Sequence, residues 1–218
     1  MCGRFSFSPN EIIIEERFDL EIEEGSYKPR YNCAPSQNLP VISNAEPGRL
    51  SFYRWGLIPF WAKDMTIGNR MINARAETIL EKSSFKHPFQ HNRCLVPSDG
   101  FFEWKKESKG KVPYRIITKD NAIFAMAGIW DTWKDSEGTI LRSFSIITTE
   151  ANELMQPIHD RMPVILLPEY EKEWLQGSDA ITLLNFLKPF PSELMEAYPI
   201  SMLVNSPLND SPEVIKRI

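Results

Sequence analysis

Residues 122–149 contain AIFAMAGIW (122–130), the turn-like KDSEG (134–138) and LRSFSIITT (141–149), and the reading of this stretch decides the fold. AIFAMAGIW is the longest nearly unbroken apolar run, yet its nine residues fall far short of the roughly 20 that cross a bilayer. It reads as a buried strand, and the Gly-containing turn folds it back onto a second strand as a hairpin. Similar strand-like runs recur on both sides, at LPVIS (39–43), RLSFYRWGLI (49–58), RCLVPSDGFFEW (93–104), VPYRIIT (112–118), MPVILL (162–167) and ISMLV (200–204), with KESKG (106–110) as another turn. Helical patterns appear in SPNEIIIEERF (8–18), ANELMQPI (151–158), PEYEKEWLQ (168–176) and ITLLNFL (181–187), too few and too late for a βαβ alternation. In the first of these Ser8 is placed to cap, Pro9 suits the first helical turn, and Glu11 completes a Ser-x-x-Glu box. The expectation is an α+β fold: a single domain over residues 1–218, with a largely antiparallel sheet or open barrel and a few peripheral helices. The Pro-rich KPFPSELMEAYP (188–199) reads as a connector inside that domain.

Composition narrows the function classes. With 42% hydrophobic and 25% charged residues, the chain has enough apolar material for one globular core. The front of the chain mixes acids into its only apolar patch, unlike a secretory signal, and the three cysteines form no CxxC pair. Both features suit a reducing cytoplasm and no membrane anchorage. With a net charge of −4, nothing global announces a nucleic-acid binder of the basic-tail kind, so any DNA contact must be local. Acid gathers in EIIIEERFDLEIEEG (11–25), whereas Arg70, Arg75, Lys86, Arg93 and WKKESKGKVPYR (104–115) make the middle comparatively basic. Such segregation produces either a narrow basic groove or simply solvated faces.

The N-terminus, MCGRFSFSPN, places a cysteine at position 2 and runs it straight into an alternating polar and aromatic strand pattern. Cys2 is either a small apolar residue at the start of a strand or a reactive group. Removal of Met1, the usual fate ahead of a small residue, would leave an α-amine and a thiol on adjacent carbons. Such a pair traps aldehydes: the amine forms an imine, and the tethered thiol closes on the imine carbon to give a five-membered thiazolidine. An α-amine with a pKa of about 7.7–8.0 and a thiol near about 8.5 need only modest help from a base.

Several residues elsewhere could help. INARAET (72–78) offers Asn73 and Arg75 on one strand face, with Glu77 next along. In DGFFEWKK (99–106), Glu103 lies among aromatics, where burial raises a carboxyl pKa, or it is an edge-strand carboxylate in water. In QPIHDRMPVIL (156–166), His159 with Asp160 and Arg161 stands at an element junction as an acid/base candidate or a structural histidine. His87, His91 and Cys94 have zinc-like spacing, but Pro88 should break the helix an i, i+4 pair needs, so a polar loop and no metal are expected. Within RWGLIPFWAK (54–63), Trp55 reads as a core anchor and Phe60 or Trp61 as a platform for unstacked bases.

The ordered set MCGRF, YNCAPSQNLPVI, RWGLIPFWAK, INARAET, RCLVPSDGFFEW and IHDRMPVIL resembles the SRAP family, named for SOS response-associated peptidase, from Cys2 to ISMLVNSP (200–207). The resemblance implies a sensor and shield of abasic sites in single-stranded DNA. The mature N-terminal Cys2 would form a covalent thiazolidine crosslink, without a cofactor or metal, in a cytoplasmic monomer associated with the nucleoid when engaged. It implies Cys2, Asn73, Glu103 and His159 as the chemical residues. Arg4, Arg75 and Arg161 would be phosphate clamps, and Phe60 and Trp61 DNA contacts. Strand cleavage as a side activity, N-terminal autopeptidase action, and a noncovalent single-strand binding module remain alternatives.

Overall fold

The computed structural model describes residues 2–108 and 110–218, so the expected loss of Met1 and the tip of the KESKG turn at Lys109 lie outside the described residues. Along the chain the elements are β1 (Phe5–Phe7), α1 (Glu11–Phe18), β2 (Arg30–Cys33), β3 (Asn38–Ser43), β4 (Glu46–Trp55), β5 (Asn73–Arg75), α2 (Ser83–His91), β6 (Arg93–Ser98), β7 (Gly100–Glu107), β8 (Gly110–Thr118), β9 (Phe124–Lys134), β10 (Ile140–Glu150), β11 (Arg161–Pro163), β12 (Ile165–Leu166), α3 (Pro168–Gln176), α4 (Ala180–Asn185) and β13 (Met195–Pro199). No helix among the described residues is long and apolar enough to cross a membrane.

The stretch that opened the sequence reading forms the β9–β10 hairpin, paired from Lys134 with Ile140 to Gly128 with Ile146. Around it the strands close rather than stay open. β10 pairs with β4, β4 with β3, β3 with β6, β6 with β9, and β9 returns to β10. Four of these contacts are antiparallel and the β10–β4 contact is parallel. Closure removes the exposed edges that an open sheet would leave. Gly128 permits it, because a Cβ there would meet the Cys94 sulfur on β6 at 2.7 Å. A second, all-antiparallel sheet runs β13-β8-β7-β1-β2. The core between the layers is aromatic: Phe5 of β1 meets Trp55 at 5.2 Å, and Trp55 stacks on Phe144 of β10.

The front of the chain is held far more tightly than chain ends usually are. Phe5 and Phe7 are fully buried, each contributing about 2–3 kcal/mol of transfer free energy as an upper figure. Several polar groups between and beside them are answered. Ser6 Oγ donates to Asp99 Oδ1 at 2.5 Å, the Ser98 hydroxyl donates to Ser6 O, and Tyr27 OH donates to the carbonyls of Phe7 and Pro9. Asp99 also takes the main-chain N–H and hydroxyl of Ser8 and pairs with Arg115 at 3.3 Å. With the Asp99 and Arg115 side chains only 14% and 10% exposed, removing the carboxylate would strand several buried donors. Asp99→Ala should therefore cost about 3 kcal/mol, read as a lower urea midpoint at an unchanged m value.

Local readings are corrected where a stronger partner won. Ser8 does not cap α1; Asn10 does, its side chain accepting from Ile13 N, because Ser8 is claimed by the Asp99 carboxylate. Pro9 accordingly precedes the cap. ANELMQPI forms turns, since Asn152 takes the Met155 N–H with its own side chain and Pro157 disfavours helical geometry before it. ISMLV is no strand: Ser201 Oγ accepts from Leu203 N and starts a 3-10 turn over Met202–Asn205. The KPFPSELMEAYP connector includes a strand, β13. HPFQHNRC is not a polar loop, because α2 runs through Pro88 to His91, and Cys94 is buried on β6.

Candidate active site

β10 is the spine that assembles the site. Its one edge carries β4 at Ser143–Phe144 and then β5, with Asn73 opposite Ile146 and Arg75 opposite Thr148. Its other edge carries β9 up to Ile146 and then β11, with Arg161 opposite Glu150. Thus residues 72–78 and 159–161 meet across the far end of one strand. The loop between β4 and β5 folds tightly enough for this because Gly56, at φ 116°, and Gly68 lie back to back; a Cβ on Gly56 would meet Gly68 O at 2.5 Å.

The second sheet brings in the other half. β1 pairs with β7, with Phe5 opposite Phe101, and Phe102 N donates to Arg4 O. Continuing that antiparallel register sets residue 3 opposite Glu103, so Glu103 lies beside Cys2. Asn73 crosses from β5 and its Nδ2 donates to the Cys2 carbonyl at 2.8 Å, while Asn73 Oδ1 is buried with no partner among the described residues. Cys2 is fully buried, which excludes a frayed terminus.

Electrostatics follow from burial. Desolvation pushes the Cys2 thiol well above its usual pKa, and the neighbouring Glu103 charge pushes the same way; the main-chain N–H of Arg4 opposes both. Glu103 is 3% exposed, so it is not an edge-strand carboxylate in water. Burial raises its pKa, with the facing charge of His159 pulling down. Glu103 therefore senses His159 across the site. His159 Nδ1 lies 3.0 Å from the Arg161 main-chain N, and the same nitrogen is 2.9 Å from Asp160 Oδ1.

The expected DNA contacts separate into groups. Arg75 is exposed beside the site, and Phe60 and Trp61 are 60% and 48% exposed on the β4–β5 loop, whereas Trp55 is buried as expected of an anchor. Phe60 N donates to Asp131, which pairs with Ser143; Asn73 is opposite Ile146, so the aromatics sit about 10 Å along β10 from it. Arg4 spends one amino group on Asn32 Oδ1 and Val204 O. Arg161 is paired with Glu77. Arg93 contributes nothing to a basic groove: it is 3% exposed and donates to the carbonyls of Trp174, Phe89, Gln90 and Gly177 at the ends of α2 and α3. His87 and His91 are neighbours on α2, their rings 4.8 Å apart, but among the described residues no three His, Cys, Asp or Glu side chains gather to hold a metal.

Sequence reasoning missed the residues that hold these groups in place. Asp99 lay unremarked inside the strand-like run RCLVPSDGFFEW, and Asn32, whose side chain bonds Arg4 and three carbonyls of the C-terminal segment, carried no local signal.

A buried cysteine at position 2 bonded by an asparagine, with a buried glutamate coupled both to it and to a histidine, forms one polar cluster on a two-sheet α+β frame. The chain belongs to the SOS response associated peptidase (SRAP) family, whose model matches residues 1–207. It is 52% identical to the abasic site processing protein YoqW of Bacillus subtilis, over 99% of both chains. It is 33% identical to the abasic site processing protein HMCES of Gallus gallus, over 89% of this chain and 68% of that one. A crystal structure of a protein from Bacteroides thetaiotaomicron matches with a TM-score of 0.92 at 36% identity, covering both chains fully.

Proposed function

We propose that this protein processes abasic sites in single-stranded DNA by forming a thiazolidine through Cys2 once Met1 is gone. It would act in the cytoplasm as a monomer, at the nucleoid when engaged. The observation that carries the reading is the convergence on Cys2 of an amide from β5 and a buried carboxyl from β7. The names of the relatives support the abasic-site part of this reading.

The chemistry closes on itself with these groups. His159 assists opening of the abasic sugar to its aldehyde. The Cys2 amine adds to the carbonyl carbon, forming a C–N bond. Glu103, protonated more readily than an ordinary glutamate because of its burial, gives its proton to the carbinolamine oxygen, which leaves as water. The thiol sulfur then bonds to the iminium carbon while its proton passes to the Glu103 carboxylate, restoring the acid. One water is lost overall. Asn73 orients Cys2 throughout, and Arg75 with Arg4 holds phosphates while Phe60 or Trp61 stacks on bases. With few cations engaged, binding should weaken with salt at a shallow slope.

Intact mass, before and after incubation with single-stranded DNA whose uracil has been excised, tests this. Loss of Met1 and gain of the oligonucleotide less one water, stable to heat, supports the proposal; loss of Met1 with no adduct defeats it. Cys2→Ala separates a noncovalent binding module, which keeps its function, from both catalytic readings. General proteolysis ranks lower because burial raises the Cys2 thiol pKa, the opposite of an activated thiolate.

A further inference from the structure

His87 and His91 find no third metal ligand among the described residues, and the chemistry at Cys2 does not use them. Their surroundings fit a different ligand. Both are exposed on α2, one turn apart, with their rings 4.8 Å from each other, and the His87 ring lies 6.0 Å from that of Phe60. The row Phe60, His87, His91 therefore carries the exposed aromatic surface of the β4–β5 loop onto the helix. The loop end of this row is firmly seated. Asp131, 4% exposed on β9, accepts the Phe60 N–H at 3.0 Å, and the Trp133 indole donates to Ala62 O at 2.8 Å. The backbone on both sides of Trp61 is thus tied to one strand.

The charge on this face is unlike that of the chain as a whole. α2, SSFKHPFQH, contains no Asp or Glu, although the chain carries 29 of them and a net charge of −4. The helix buries Ser84, Pro88 and Phe89 and turns Lys86, His87, Gln90 and His91 to solvent. Lys86, and Lys63 two residues past Trp61, are exposed and form no ion pair among the described residues. The carboxylate that faces His87, that of Asp131, has both oxygens taken by the main-chain N–H groups of Phe60 and Thr132. Free cations beside exposed flat rings suit a single strand, whose phosphates meet the cations while its unstacked bases meet the rings. We propose that the α2 face, through Lys86, His87 and His91, is a second DNA subsite that holds nucleotides flanking the abasic one where the strand leaves Phe60 and Trp61. This rests on the abasic-site reading and lengthens its DNA path without adding a chemical step.

The side chains concerned are exposed and those that pack α2 are untouched, so the variants should fold. The half-saturating concentration for adduct formation is read with abasic oligonucleotides lengthened one nucleotide at a time on either side, in metal-free buffer. In the parent, affinity should step up on one side as the strand reaches α2. His87→Ala combined with His91→Ala should remove that step, weakening binding of the longer strands by about fivefold to tenfold, the lower end of what one stacked base contributes. Lys86→Ala should lower the slope of log affinity against log salt by about 0.7, the share of one phosphate on a single strand. Affinity and salt slope unaltered at every length would overturn the assignment. A loss equal at every length would overturn it too, by marking damage away from α2, and so would a step that appears only with added zinc, by making the histidine pair a metal site. If the parent forms no adduct, the abasic-site reading fails. Binding of long undamaged single strands, compared between parent and variants, then still decides whether α2 carries DNA.

Discussion

Cys2→Ser should convert a heat-stable DNA adduct into strand nicking or a labile adduct. The serine keeps the α-amine, so the imine still forms. An imine at the abasic sugar acidifies the neighbouring carbon, and the 3′ phosphate can then be eliminated. Ring closure competes with that elimination, and a hydroxyl is a far poorer closing nucleophile than a thiol. The Cys2 environment sharpens the contrast, because its thiol is buried and held protonated until a base takes the proton. Denaturing gels after heating would resolve intact adduct from cleaved strand. Unchanged stable adduct in Cys2→Ser would end the thiazolidine mechanism.

Glu103→Gln should slow adduct formation by about a hundredfold while leaving DNA binding in place, the usual scale for losing a positioned proton carrier. Its pH behaviour is equally specific. Burial raises the folded-state pKa above the ordinary carboxyl value, so the acid form persists to higher pH than for a solvated glutamate. The alkaline limb of the rate profile, where Glu103 loses its proton, should vanish in the variant. Stability should move the other way. Between the ordinary glutamate pKa and the raised folded value, the native state binds more protons than the unfolded chain, so stability falls as pH rises through that window. Glu103→Gln removes this loss, and its thermal midpoint should be higher than the parent's at neutral pH and nearly flat across the window. Parent-like rates at every pH would take Glu103 out of the mechanism.

Where long-range contacts decide, local rules and structure part company. The strands were legible because alternation and apolar runs report burial directly, as with Phe5 and Phe7 or the β9–β10 hairpin. The closed barrel was not, since closure depends on the return of β9 to β10 and the parallel β10–β4 pairing, contacts between residues far apart in sequence. Helix starts and short turns went wrong wherever a distant side chain outbid a neighbour. Ser8 shows this: its hydroxyl would have capped α1 had Asp99 not reached it from the end of β6.

For the site, the sequence by itself determined the chemistry on offer: a thiol at position 2, an asparagine in INARAET, a glutamate among aromatics and a histidine followed by Asp-Arg. The thiol, the glutamate and the histidine each carried a bland reading beside the chemical one, and the family resemblance rather than composition selected among them. Tertiary structure alone decided proximity and electrostatic state. Glu103 has a raised pKa because two sheets exclude water from it, Asn73 reaches Cys2 because β5 lies parallel along β10, and Arg161 has its fork filled because Glu77 arrives from the opposite edge. Burial and approach are sums over long-range contacts, and no window of sequence contains them.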